Sequence, residues 1–314
     1  MLNKMLKNVK KTFTQFNKLS IWFRLSIIIL IILLLCVMVN KHNPQIENFT
    51  QEKKFVMKSG EEIYDDFYAD IYHDLIHDKI KNEYEISEII SNTSPTKQSL
   101  ILDIGSGTGE HVAELNEKGY NAIGLDLSPS MINKSKEKYP HLKFKQGNAL
   151  ESMVYPANYF THITCLFFTL YYIKDKKQFL TNCYDWLRPG GYLIIHVVNR
   201  QKFDPILNTA DPLQLISAQR YAKKRITNSL IKFKDFRYRG DFKLDEQNDK
   251  ATFEEVFKDD KTKHIRQNIH KMEMPTRKYI ISLAKETGFI IQGKIDMVPV
   301  QYEYQYLYIL KKPD

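Results

Sequence analysis

Residues 101–111 read ILDIGSGTGEH. An apolar run from Ile101 to Ile104, broken by one acid, ends in glycines at 105, 107 and 109, and a polar, helix-compatible stretch follows. Glycine costs backbone entropy on folding. Three at alternate positions therefore mark a place where the chain turns sharply or lets something approach its backbone. A buried strand, a glycine turn and a helix in that order confine the chain to a small set of α/β architectures.

The rest of the chain repeats the theme. SLILDIG reads as a short buried strand and EHVAELNEKG as a helix stopped by Gly119. NAIGLDLS is a second strand, and PSMINKSKEKYP a helix with Pro129 at its start and Pro140 at its stop. LKFKQGN and FTHITCLFF are the third and fourth strands, KDKKQFLTNCYDWLRPGG a helix ending in Pro-Gly-Gly, and YLIIHVV the fifth strand. Upstream, residues 61–91 carry apolar residues at helical spacing: Ile63, Phe67, Ile71 and Leu75. Regular alternation predicts a doubly wound parallel sheet with helices on both faces. In such sheets a ligand sits outside the carboxyl ends of the strands, at the point where the strand order reverses.

The charge is unevenly placed. Of 46 basic residues six fall in the first 40 positions, with no acid among them, so the remainder is 40 bases against 37 acids. That near-neutral remainder weakens a nucleic-acid reading of the overall +9. The basic segment leads into LSIIILIILLLCVMV, Leu25 to Val39. Extended back to Ile21 it makes a helix of about 28 Å against a hydrocarbon core of about 30 Å, with Arg24 snorkelling and Trp22 at the interface. No small-x-small cleavage site follows and no polar face interrupts it, so a single-pass membrane anchor is expected over 21–40. The bias of Lys and Arg favours a cytoplasmic N-terminus and sets the main domain on the other side. Sequons at Asn48, Asn92 and Asn133 occur at chance frequency and leave the side open. Cys36, Cys165 and Cys183 form no disulfide framework, and no metal site is expected.

The glycine turn departs from the dinucleotide fingerprint. Counting from Gly105, the sixth place is Glu110, a negative charge where a pyrophosphate would lie, which argues against NAD(P). Seventeen residues past Gly109, at the end of the second strand, stands Asp126. A carboxylate there can accept both hydroxyls of a ribose. The combination fits a ligand with a ribose and no phosphates.

At this point LDIGSGTGEH, GLDLSPSMI, FKQGNAL, FTHITCLFFTLYYI and LRPGGYLIIHVV resemble, in order, the motifs of class I S-adenosylmethionine-dependent methyltransferases of the small-molecule type. The resemblance covers roughly 61–200 and implies a seven-stranded sheet with an antiparallel last strand. RKYIISLAKETGFIIQGKIDM and YEYQYLYILKK match its closing helix and strand pair. It further implies S-adenosyl-L-methionine as cofactor. Gly105 and Gly107 would take the methionine part, Asp103 would orient the turn and the cofactor's ammonium, and Asp126 would hold the ribose. Leu127 and Met131 would flank the adenine. Asn148, with Ala149 beside it, stands where the family usually has an acid on the adenine amine. Leu166 would offer backbone to the amino acid end. Attack on a sulfonium methyl asks the protein to align a nucleophile and exclude water. A base is needed only when the acceptor must lose a proton. Tyr72 and Tyr172 are the expected catalytic side chains, while His162 and His196 read as structural.

Residues 201–275 read as an insertion of antiparallel strands over the substrate cleft. Residues 220–239 hold eight bases and one acid, and residues 241–260 eight acids and three lysines, so the two runs are expected to neutralise each other. The expected organisation is a basic segment 1–20, the anchor 21–40, a linker 41–60, the methyltransferase core 61–200, the insertion 201–275 and the closing helix and strands 276–314. The function expected is methyl transfer to a small-molecule or lipid acceptor by a membrane-anchored enzyme. The alternatives are a nucleic-acid methyltransferase using the 220–239 patch, or a non-catalytic cofactor-binding membrane protein.

Overall fold

A computed structural model of the chain describes residues 20–27, 29, 30, 53–205, 219, 222, 224–233 and 235–314. Two units are present, residues 1–45 and 46–314. In the first, residues 21–27, 29 and 30 are helical, and Ser26 Oγ–H donates to the Trp22 carbonyl at 2.9 Å. The remainder of the expected anchor, 31–40, lies outside the described residues, as does nearly all of the basic segment. Among the described residues no helix is long and apolar enough to cross a membrane.

The second unit opens with strand β1 (Phe55–Ser59), a 3-10 turn over Gly60–Ile63, and helices α1 (Asp66–Ile76) and α2 (Lys79–Thr93). The helical stretch expected over 61–91 is thus divided in two. Asp65 caps α1 by accepting the Tyr68 N–H at 3.2 Å, and Asp78 caps α2 by accepting the Lys81 N–H at 3.0 Å. A second acidic cap inside one apolar pattern restarts the helix. Residues 55–59, expected as linker, instead form an edge strand, because their alternating half-buried positions pair with residues 265–269.

Strands and helices then alternate: β2 (Leu100–Ile104), α3 (Glu110–Glu117), β3 (Asn121–Asp126), α4 (Pro129–Lys138), β4 (Lys143–Gln146), β5 (Phe160–Cys165), the single turn α5 (Thr169–Tyr172), α6 (Lys176–Trp186) and β6 (Leu187–Val198). β6 begins before Pro189-Gly190-Gly191, which bulge out of its register with β5 rather than ending the helix. There follow β7 (Asn228–Lys232), β8 (Phe236–Asp245), β9 (Lys250–Asp259), β10 (Ile265–Glu273), α7 (Arg277–Thr287), β11 (Ile290–Asp296) and β12 (Gln305–Lys311). Thr276 caps α7, and Gly288 stops it in the left-handed region.

Seven strands make one sheet in the order β11-β12-β6-β5-β2-β3-β4. β12 runs antiparallel to both neighbours and the other pairs are parallel. From β2 the chain lays down β3 and β4 on one side, then returns to place β5 on the other, so the order reverses between β2 and β5. The second sheet, β1-β10-β9-β8-β7, is antiparallel except for β1 against β10. Helix α1 lies between this sheet and the core. Its inward residues Tyr68, Ile71 and Leu75 share an apolar cluster with Met131, Tyr238 and Phe257. Burying side chains of this size contributes about 1.5–3 kcal/mol each, which fastens the small sheet over the carboxyl ends of the large one.

Candidate active site

β2 leaves the sheet at Ile104, and Gly105 turns the chain in the left-handed region at φ +72°. The turn is pinned to β3 by the Gly105 and Ser106 N–H groups, which donate to the Leu125 carbonyl at 2.7 and 3.1 Å. A Cβ on Gly105 would stand 2.4 Å from Thr169 Cγ2, so only glycine fits beneath α5. Gly107 faces Tyr72, whose ring comes within 3.4 Å of where a Cβ would be. A cavity of about 740 Å³ opens beyond these glycines, at the reversal between β2 and β5.

Asp126 closes β3 on the cavity wall. Its Oδ2 accepts the Gly107 N–H and its Oδ1 the Ser128 N–H, both at 2.9 Å. Burial raises its pKa above the usual carboxylate value, an effect that these two N–H groups offset in part. An ionised carboxylate has about four acceptor sites, so two remain for hydroxyl donors. Leu127, Met131, Asn148 and Ala149 line the same end. The Asn148 amide oxygen already accepts the Leu150 N–H at 3.0 Å and keeps one lone pair. Gly105, Gly107, Asp126, Leu127, Met131, Asn148 and Ala149 therefore come together as expected.

Two expected cofactor residues do not line the cavity. Asp103 lies beneath the turn, 2 % exposed, and accepts the Thr164 hydroxyl at 2.7 Å. Burial raises its pKa, against the lowering effect of His111 and the Thr164 bond. Leu166 is turned into the core with Ile89 and Ile194, and Phe167, at φ +51°, takes its place on the wall. Side chains on a strand alternate between faces, so Ile104 meets the crevice and its neighbour Asp103 does not.

Tyr72 and Tyr172 both reach the cavity. Burial, with the charges of Glu110 and Asp126, pushes the Tyr72 phenol well above its ordinary range. Burial does the same for Tyr172. Neither stands as a phenolate at neutral pH. His162 and His196 lie away from the cavity in the core, held to about 4 by burial, as structural histidines would be.

Sequence reasoning missed the far wall. Tyr64, Tyr68, His270 and Met272 line it, and behind them is Glu255, wholly buried. His270 Nδ1 is 2.9 Å from the Tyr172 hydroxyl, and its Nε2 is 2.7 Å from Glu255 Oε2. Glu255 also accepts from Tyr238 at 3.0 Å, Asn268 at 3.2 Å and Tyr68 at 3.3 Å. Burial alone would raise Glu255, but His270 and these donors hold it below the ordinary value. The signal was present in the sequence. Alternate positions of β10, Arg266, Asn268 and His270, are polar yet buried, and an inward polar row on a strand serves a site more often than a core.

The basic stretch is answered by its neighbour. Antiparallel pairing of β8 with β9 brings Arg237 to Asp260 at 3.0 Å and Arg239 to Glu254 at 3.6 Å, while Asp235 meets Lys261 at 3.2 Å. Arg225 donates to the Arg200 and Phe203 carbonyls. These groups offer no continuous basic face to a phosphate backbone.

Residues 102–195 match the family described as methyltransferase domain. The ubiquinone/menaquinone biosynthesis C-methyltransferase UbiE of Vibrio vulnificus is 32 % identical over 121 residues, which are 35 % of this chain and 45 % of that protein. The chain thus spans less than half the length of this curated relative. Among solved structures, an S-adenosylmethionine-dependent methyltransferase from Clostridium acetobutylicum has a TM-score of 0.60 at 18 % identity, over 79 % of this chain and 98 % of that one. S-adenosylmethionine-bound CalS10, an amino pentose methyltransferase from Micromonospora echinaspora, has a TM-score of 0.54 at 16 % identity, over 74 % and 90 %. Residues 102–195 thus match a methyltransferase domain, and the fold is that of these solved S-adenosylmethionine-dependent methyltransferases.

Proposed function

We propose that this chain, with its S-adenosylmethionine-dependent methyltransferase domain, methylates a small-molecule acceptor held between the glycine turn and the aromatic wall of the five-stranded sheet. The observation that supports this most is the join of Asp126 to the turn. The carboxylate at the end of β3 bonds the Gly107 N–H and still has sites for two hydroxyls. The glycines beside it admit backbone-close contact, and Leu127 and Met131 flank it with apolar surface. These residues fit a methionine-and-nucleoside ligand without phosphates.

When bound, S-adenosylmethionine supplies an electrophilic methyl on a sulfonium. The chain's part is alignment and the exclusion of water. Helix α1 covers the turn, fastened by the Ser128 hydroxyl, which donates to the Tyr64 carbonyl at 2.6 Å, and by Lys134 to Asp70 at 2.9 Å. Tyr72 lies over Gly107 on the cofactor side, and Tyr172 faces the acceptor side. Calorimetry on the full chain tests the reading: S-adenosylmethionine and S-adenosylhomocysteine should bind and NAD should not. Binding of NAD with none of the methyl donor would overturn it.

A membrane anchor over 21–40 belongs to the same proposal, supported by the run Ile21 to Val39, apolar but for Arg24 and Ser26, behind five lysines. It sets the enzyme at a membrane surface, where lipid-soluble acceptors concentrate. The full chain should stay in the membrane pellet through an alkaline carbonate wash; release into the wash would rule out a spanning anchor.

A further inference from the structure

Strand β10 turns Arg266, Asn268 and His270 inward. Arg266 holds the lid in place, donating to Asp65 Oδ2 and to the Ile63 carbonyl at 2.9 Å each. Its Nε–H donates to Asn268 at 2.9 Å, and Asn268 donates to Glu255. His270 has no such fastening role. It stands in the cavity wall between a hydroxyl and a buried carboxylate.

Hydrogen-bond logic fixes where its proton is. Glu255 is 0 % exposed and meets four donors, from Tyr68, Tyr238, Asn268 and His270. An ionised carboxylate has no hydrogen to give, so His270 Nε2 carries the ring proton toward it. In the neutral ring Nδ1 is then an acceptor, and it takes the Tyr172 hydroxyl proton as its hydrogen-bond partner. Tyr172 thus points its hydrogen at the histidine and, with the Tyr64 hydroxyl also bonded to its oxygen, keeps one lone pair for a donor from the cavity.

We infer that Tyr172, His270 and Glu255 form a proton relay for a planar, hydroxyl-bearing acceptor, a phenol or an enol, whose O–H must be broken for methylation. This inference rests on the methyltransferase reading. In the step, the acceptor O–H bond breaks and its proton joins Tyr172 Oη, while the proton Tyr172 held passes to His270 Nδ1. The products are an acceptor oxyanion and an imidazolium 2.7 Å from Glu255. One proton moves at each end, no electrons change hands, and no co-reactant is required. Tyr172 touches the acceptor and is the catalytic residue; His270 receives the proton; Glu255 is a positioning residue that acts through His270. Burial holds the Tyr172 phenol far above its ordinary range, so it acts only by passing one proton on as it gains another.

The surroundings favour a neutral ring over a cationic amine. The four acceptor sites of Glu255 are filled, so no free carboxylate oxygen at the relay awaits an ammonium. The rings of Tyr64, Tyr68, Tyr172 and Phe253 lie 5.8–6.0 Å from the imidazole, an apolar slot for a flat molecule. Among the groups facing His270 from α1, α5, β8 and β9, which are Tyr64, Tyr68, Tyr172, Tyr238, Phe253 and Glu255, the carboxylate alone is charged at neutral pH.

The probe is 4-nitrophenol, whose ionised form is coloured, added to the full chain with S-adenosylhomocysteine. At a pH one unit below its own pKa, the bound phenol should be at least about tenfold more ionised than the free one. In parallel, nitrogen NMR of histidine-labelled protein should show His270 with Nε2 protonated before the probe and both nitrogens protonated after it. Tyr172→Phe and His270→Gln should each return the ionised fraction of the bound probe to about that of the free phenol. Glu255→Gln should fall between. S-adenosylhomocysteine binding reports that each variant is folded. A wild-type probe bound only as the neutral phenol, ionisation unchanged in His270→Gln, or benzylamine binding more tightly than 4-nitrophenol would each overturn the relay or its acceptor class. Failure of S-adenosylhomocysteine to bind the wild type would instead sink the methyltransferase reading beneath it.

Discussion

Asp126 does two things at once. Its oxygens hold the Gly107 and Ser128 N–H groups at 2.9 Å, so the same carboxylate that offers sites to a ribose also shapes the turn around it. Two charge-assisted bonds to hydroxyls are worth about 1.5–3 kcal/mol each. Asp126→Ala should therefore weaken S-adenosylmethionine binding by about a hundredfold or more, read by calorimetry. The two backbone N–H groups would also lose their acceptor, so unfolding should become easier by about 1–3 kcal/mol. Asp126→Asn keeps one acceptor oxygen but turns an NH₂ toward a donor, and should fall between. Binding of the donor by Asp126→Ala within a factor of about three of wild type would show that no ribose rests here.

At the scale of elements, the least anticipated feature is the inner face of α2. Lys81 and Glu85, one helical turn apart, are 4 % and 1 % exposed at their side chains and pair at 2.8 Å. His111 of α3 joins the same Glu85 oxygen at 2.9 Å, and Lys81 also donates to Asn82 at 2.8 Å. Burial would raise Glu85, but the Lys81 charge and the His111 contacts bring it down to about 2. Breaking a buried pair leaves an uncompensated charge, which costs more than the pair itself contributes. Lys81→Met should lower stability by about 3–5 kcal/mol, measured by denaturant unfolding. Lys81→Met with Glu85→Leu should recover most of that loss. A single variant as stable as the wild type would show that the buried Glu85 charge does not need Lys81.

For the molecule as a whole, the buried histidines set the acid limit. His162 and His196 are each held by burial at about 4 in the folded chain, below an unfolded value of about 6.5. The unfolded state therefore binds protons first as pH falls. The stability these groups contribute is complete above about 6.5 and is lost as pH drops toward about 4. Glu85, with a folded value of about 2, adds a second loss below about 4.3, the range where an unfolded glutamate protonates. Asp103 and Asp126, raised by burial, act in the opposite sense and soften that second loss. Thermal unfolding should show a plateau above about pH 6.5 and a fall between about 6.5 and 4. His196→Gln should flatten that fall, and a midpoint unchanged from pH 7 to pH 5 in the wild type would contradict this account.

The chain's own pattern determined the large sheet. Alternating apolar runs and capped helices are local signals, and β2 to β6 with their helices lie where the sequence places them, together with Gly105, Gly107 and Asp126 at the open strand ends. Among the described residues, Arg237 and Arg239 of the basic run meet Asp260 and Glu254 of the acidic one, since antiparallel neighbours in sequence pair in space. Tertiary structure alone decided the rest. β1 became a strand because β10, more than 200 positions later, gave it a partner. Asp103 left the wall because the pleat turned it inward, and the Leu166 side chain packs with Ile89 and Ile194. Tyr172 met His270 and Glu255 because the small sheet folds over the switch point, across 98 positions of sequence. Periodicity reports which face of an element is apolar; it says nothing of which distant element will cover that face, and the acceptor side of this site is built from such distant pairs.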